Sequence, residues 1–166
     1  GADTKCTTND MDTVLHFAAH YGSVEAMKLF LEHDPGLDVS AKNDHGETPL
    51  HVAAQCGHGA ALTFLLAQGA NVNDHYEHFE FSRVTPLSLA AYNPCRETLN
   101  ALILCERIDL NNEELYDEET LGQLGQPESL SLLNLEAMMK FENIMFPKLV
   151  RKMVDMLESG ELPPGY

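Results

Sequence analysis

The sequence reads as a mainly α-helical solenoid: three stacked helix–turn–helix repeats joined by extended fingers, with a helical extension at the C-terminal end. Two observations carry this. Three similar segments begin at Thr13, Thr48 and Thr85, which are 35 and 37 residues apart. Each segment holds two short apolar stripes at helical spacing, separated by a turn. A hydrophobic content of 44% is enough for a packed core.

The second segment, "TPLHVAAQCGHGAALTFLLAQGANVN", shows the logic of one unit. Thr48 caps a helix, and Pro49 occupies its first position with φ already set. Leu50, Ala53 and Ala54 make a stripe with small side chains, so another helix can approach closely. Gly57 permits the reversal. Leu62, Leu65 and Leu66 give the second helix its apolar face, and Gly69 stands at its C-cap. "ANVN" runs extended into the next finger. One such pair cannot bury both faces alone, so neighbours must stack.

These residues resemble the ankyrin repeat family over about residues 8–112. "NDHGETPLHVAAQCGHGAALTFLLAQGANVN" is close to the family pattern. Met11 stands where the first copy would have a turn glycine. In the third copy Arg83 replaces that glycine, Ser88 replaces the motif histidine, and "NPCR" replaces the Gly-His turn. The resemblance implies that His16 and His51 orient the turns. It also implies that fingers and first helices line a concave groove that binds a protein partner.

Residues 1–7 are expected to be a disordered or vector-derived N-terminus, and the chain a fragment of a longer protein. Residues 113–166 are expected to form a helical extension packed on the last repeat, covering Leu99, Leu102 and Ile103. The competing reading is a docking element with a methionine-rich face. "LVRKMVDML" followed by "ELPPGY" is faintly similar to a SOCS box, the ending of some ubiquitin-ligase substrate adaptors. Val150 and Asp155 depart from that motif's cysteine and arginine.

The net charge is −16. Through Asn111 there are 15 acids and 6 bases, and from Asn112 onward 11 acids and 4 bases, so both parts are acidic. Nucleic acid and anionic membrane are poor partners for such a surface, and basic protein segments are favoured. The four cysteines form no C-x-x-C pair, which suits a reducing compartment: the cytoplasm, the nucleus, or a host cytosol if the parent protein is an effector. No phosphate-cradling glycine loop, G-x-S-x-G or H-E-x-x-H occurs, so neither catalysis nor a cofactor is expected. His45, His75 and His78 invite a zinc reading, but the surface or turn role of these residue types in such a repeat is the simpler one.

"DHYEHFEFSR", residues 74–83, puts three aromatics where a polar turn is expected. About four residues, "YEHF", read as extra at the tip of the third finger. Tyr76, Phe79 and Phe81 are the expected anchors there, with Asp44, Glu47, Asp74 and Glu77 meeting the partner's positive charges. The family's variable positions add Asp10, Asp12, His20 and Tyr21, then Asp44, His45, Glu47, Gln55 and Cys56, then Ser82, Val84, Tyr92 and Asn93. The partner-binding set is therefore Tyr21, Asp44, His45, Glu47, Gln55, Tyr76, Glu77, Phe79, Phe81 and Tyr92. Asn73 and Asn111 resemble targets of asparaginyl hydroxylation, with Leu65 and Ile103 eight residues upstream.

Overall fold

A computed structural model describes residues 7–77, 83–92, 95–109 and 140. The segment expected to form a helical extension, apart from Lys140, lies outside the described residues, as do His78, Phe79, Phe81, Ser82, Asn93, Asn111 and the SOCS-like segment. Lys140 donates from Nζ to the carbonyl of Cys105 at 3.0 Å.

Among the described residues six helices follow one another as three pairs: α1 (Val14–His20) and α2 (Val24–His33), α3 (Pro49–Gln55) and α4 (Gly59–Ala67), α5 (Pro86–Tyr92) and α6 (Arg96–Leu104). α1 packs on α3 and α3 on α5, forming an inner row, while α2, α4 and α6 stack outside it. The paired alanines at 18 and 19, 53 and 54, and 90 and 91 are all buried in the inner row. Leu15, Leu50 and Leu87 seal the start of each first helix, and Met27, Leu62 and Leu99 fill the space under each second helix, all fully buried. Fully burying a residue of this size stabilises by roughly 1.5–3 kcal/mol.

The motif histidines bind the repeats to one another. His51 Nδ1 faces both the Thr48 backbone N–H at 3.2 Å and the Thr48 hydroxyl at 2.8 Å. An N–H can only donate, so Nδ1 is the acceptor and the ring proton sits on Nε2. Nε2–H then donates to Val84 O, in the next finger, at 3.3 Å. His16 repeats the arrangement: Nδ1 takes the Thr13 N–H at 3.1 Å, and Nε2 donates to Glu47 O at 3.0 Å. Ser88 keeps only the local half. Its hydroxyl accepts from Thr85 N–H and donates to Thr85 O, both at 2.9 Å. A side chain that short closes the cap but cannot reach a neighbouring finger.

The finger turns share one hydrogen-bond scheme. Asn43 N–H donates to Glu47 O at 3.0 Å, and Gly46 N–H to Asn43 O at 2.9 Å. In the first finger Thr8 N–H donates to Asp12 O at 3.1 Å, and Met11 N–H to Thr8 O at 3.0 Å. Met11 therefore takes the place of Gly46 and adopts φ +60, against φ +81 for the glycine. In the third finger the equivalent rung is Tyr76 with Val84, an antiparallel bridge with bonds of 3.1 and 2.8 Å. The extra residues thus fall between Tyr76 and Val84. Tyr76 stands at the base of the finger rather than at its tip, because its backbone supplies the rung.

Two consequences are measurable. A left-handed backbone costs a side-chain-bearing residue roughly 1–2 kcal/mol, so Met11→Gly raises the unfolding free energy by about 1 kcal/mol; an unchanged denaturant midpoint contradicts this. Burial lowers the pKa of His51 to about 4, outweighing the charge of Asp74. Above pH 6.5 the ring is neutral in folded and unfolded chains alike, and its contribution is fully present. As pH falls from 6.5 toward 4 the unfolded chain takes up a proton that the folded one refuses, so stability is lost. The loss from this ring is about 3 kcal/mol. Urea midpoints across that window should fall in the wild type and fall less in His51→Gln.

Candidate functional site

The first two fingers and the ends of α1 and α3 enclose a groove of about 300 Å³. Its lining includes Asp10, Asp12 and Glu47 from the fingers, Phe17, His20 and Tyr21 from α1 and its cap, His45 from the second turn, and Val52 and Gln55 from α3. The histidine bridges produce this geometry. By holding Glu47 O against His16, they stand the second finger upright beside the first helix.

The floor is built around Asn43, which is buried. Its Oδ1 accepts from the backbone N–H of His45 and of Glu47, at 3.1 and 2.9 Å. Its Nδ2 donates to Asp12 Oδ1 at 2.9 Å and to Glu47 Oε2 at 3.3 Å. Glu47 Oε1 accepts in turn from the Tyr76 hydroxyl at 3.3 Å. Both carboxylates are therefore held in place by neutral donors. The lining contains three carboxylates and no Lys or Arg. The walls are aromatic: Phe17 is 45% exposed and Tyr21 is 74% exposed.

Of the residues expected to bind a partner, Tyr21, His45, Glu47 and Gln55 are brought together in this groove. Asp44 is exposed on the second turn, its N–H bonded to Asp10 O at 3.0 Å. Tyr92 ends α5 one repeat beyond Gln55 and is 43% exposed, and Glu77 is exposed beside Tyr76. Asp74, expected to meet a partner's charge, instead pairs with Lys42 at 2.8 Å, and the same ammonium reaches His75 O at 2.9 Å. Phe17 and Asn43 were not singled out from the sequence. Phe17 occupies the repeat position of Val52 and Leu89, so its larger ring was the available signal.

Tyr76 is half-buried, not a free anchor. Its ring lies edge-on to His51 with centroids 5.3 Å apart. A Cβ on Gly46 would sit 2.8 Å from Tyr76 Cβ, so this approach needs a glycine there. Burial, together with the Glu47 charge and hydrogen bond, pushes the phenol up to about 12, which keeps it a donor. Asn73 has both amide atoms engaged: Nδ2 donates to Arg107 O at 2.7 Å, and Oδ1 accepts from Asp109 N–H at 3.0 Å.

Cys56 Sγ lies 3.6 Å from His20 Nδ1 at the edge of the groove. Burial and the nearby Glu47 charge raise its pKa, which disfavours the thiolate a nucleophile needs. Among the described residues no group of three or more His, Cys, Asp or Glu side chains is placed to hold a metal ion. None of the described helices is long and apolar enough to cross a membrane.

A family model for ankyrin repeats, in three copies, matches residues 1–76. The human transient receptor potential cation channel subfamily A member 1 is 36% identical over 107 residues, covering 63% of this chain and 9% of the channel. Alpha-latrotoxin-Lg1a of Latrodectus geometricus is 30% identical over 114 residues, covering 69% of this chain and 8% of the toxin. A putative ankyrin repeat protein of Rickettsia bellii (strain RML369-C) is 31% identical over 116 residues, covering 68% of this chain and 66% of that protein. The chain thus spans less than a tenth of the length of the channel and the toxin.

The two roles of Tyr76 separate by substitution. Tyr76→Phe keeps the ring against His51 and loses one hydrogen bond, so stability falls by about 1 kcal/mol or less. Tyr76→Ala removes the brace and should cost about 2 kcal/mol, since a half-buried ring loses less than a core one. Equal melting temperatures for the alanine variant and wild type would show that the ring does not support the finger.

Proposed function

The chain belongs to the ankyrin repeat family, and from that premise we propose that it is a non-catalytic recognition module whose concave surface, made of fingers and first helices, binds a basic segment of a partner protein. Ankyrin repeats are in general protein–protein interaction modules. The observation that supports the surface assignment is the groove between the first two fingers, where exposed Phe17 and Tyr21 flank carboxylates that no lining Lys or Arg neutralises. Aromatic rings supply contact area at low entropic cost, and the acids favour encounter with cations. Cys56, Cys95 and Cys105 are unpaired, which suits work in a reducing compartment.

The short share of the longer relatives supports a second reading, in which this chain is the ankyrin part of a larger enzyme or effector. The 60 kDa lysophospholipase of Mus musculus, 46% identical over 52 residues and matched over 9% of its length, carries an enzymatic name. In that case the activity belongs to other domains, and the groove keeps its binding role.

A displayed random-peptide library selected on the wild-type domain tests the surface. Selected peptides should lose about tenfold or more in affinity on Tyr21→Ala or Tyr92→Ala, as an exposed aromatic anchor implies. Leu29→Ala, on the outer row and 64% exposed, should leave them unaffected. The reverse pattern would move the binding surface to the outer helices.

A further inference from the structure

We infer that the groove between the first and second fingers is a subsite for a single arginine side chain of the partner. This rests on the reading of the concave face as a protein-binding surface and adds to it the identity of one anchor.

The argument begins with an electrostatic imbalance. Asp12 and Glu47 converge on one atom, Asn43 Nδ2, at 2.9 and 3.3 Å. Two like charges drawn to the same neutral donor repel each other, and an amide relieves that only in part. Asp10 adds a third carboxylate to the same lining. The two salt bridges among the described residues, Lys28 with Glu25 and Lys42 with Asp74, lie elsewhere. A cation entering the groove meets carboxylates already fixed in position, so little ordering is left to do on binding.

The chemistry of the walls selects the kind of cation. Each carboxylate oxygen of Glu47 accepts one bond, from Tyr76 at Oε1 and from Asn43 at Oε2, and each keeps a further lone pair. A guanidinium presents several N–H donors in a rigid plane, which can fork between neighbouring carboxylates. Its faces stack on aromatic rings, and Phe17 and Tyr21 offer rings on the same groove. An ammonium is a point charge with no face to stack. Tyr76 enters as a positioning residue: its hydroxyl donates to Glu47 Oε1 at 3.3 Å.

The probes are blocked single residues: Nα-acetyl-arginine methylamide, its neutral citrulline counterpart, and its lysine counterpart. Each is titrated into the uniformly labelled full chain and followed by amide chemical shifts. The arginine probe should shift the amides of Asp12, Phe17 and Glu47, and the citrulline probe should not. The lysine probe should bind roughly threefold more weakly, because an ammonium lacks the planar stacking and the forked donors of a guanidinium. Glu47→Gln, with melting unchanged, should weaken the arginine probe about fivefold; Tyr76→Phe should weaken it by a smaller factor. Silence of the groove amides, equal shifts with citrulline, or equal affinity for lysine each overturns the assignment. Library-selected peptides keep the two levels apart. If they depend on Tyr21 and Tyr92 yet tolerate Glu47→Gln, the arginine subsite falls and the recognition surface stands. If the arginine probe fills the groove but no selected peptide needs the concave face, the surface reading falls.

Discussion

The imidazole bridge between one repeat's cap and the next repeat's finger is the interaction on which the architecture turns. A seven-residue helix is too short to be stable alone, and each first helix here has that length. His16 and His51 solve this twice over. One nitrogen completes the helix start, and the other fixes the neighbouring finger through Glu47 O or Val84 O. Because the ring must accept at Nδ1 and donate at Nε2, only the neutral form serves. Burial, which holds the pKa of His51 near 4, protects that form.

The groove is a by-product of the same bridge. His16 holds the Glu47 backbone through its carbonyl, and Asn43 and Tyr76 hold its carboxylate. Tyr76 links two functions: its backbone pairs with Val84, its ring rests on His51, and its hydroxyl orients Glu47. A residue that braces the fold thus also shapes the groove.

Much was legible in advance where local physics decides. The Thr48 cap, the Pro49 helix start, the alanine pairs and the reversing Gly57 each act within a few residues, and all appear as expected. The surplus residues of the third finger were legible as a length difference, but their location was not. Aligning strings cannot say that Tyr76 supplies a backbone rung. Asp74 and Glu77 looked alike as acids near an aromatic run, yet Asp74 is taken by Lys42, which comes from the preceding finger 32 residues earlier.

By itself the sequence determined the repeat period, the helix pairs and the acidic character, since these follow from spacing and composition, and its motif residues carry the resemblance to ankyrin repeats. It also placed the Thr48 cap, because capping is an exchange of hydrogen bonds within one turn. Tertiary structure alone decided which acids share a donor, which aromatic rings remain exposed and which face becomes a groove. Those outcomes depend on contacts between residues some thirty positions apart, such as Asp12 with Asn43 and Tyr76 with Glu47. Long-range pairings of that kind arise only when stacked repeats bring equivalent positions of successive fingers side by side.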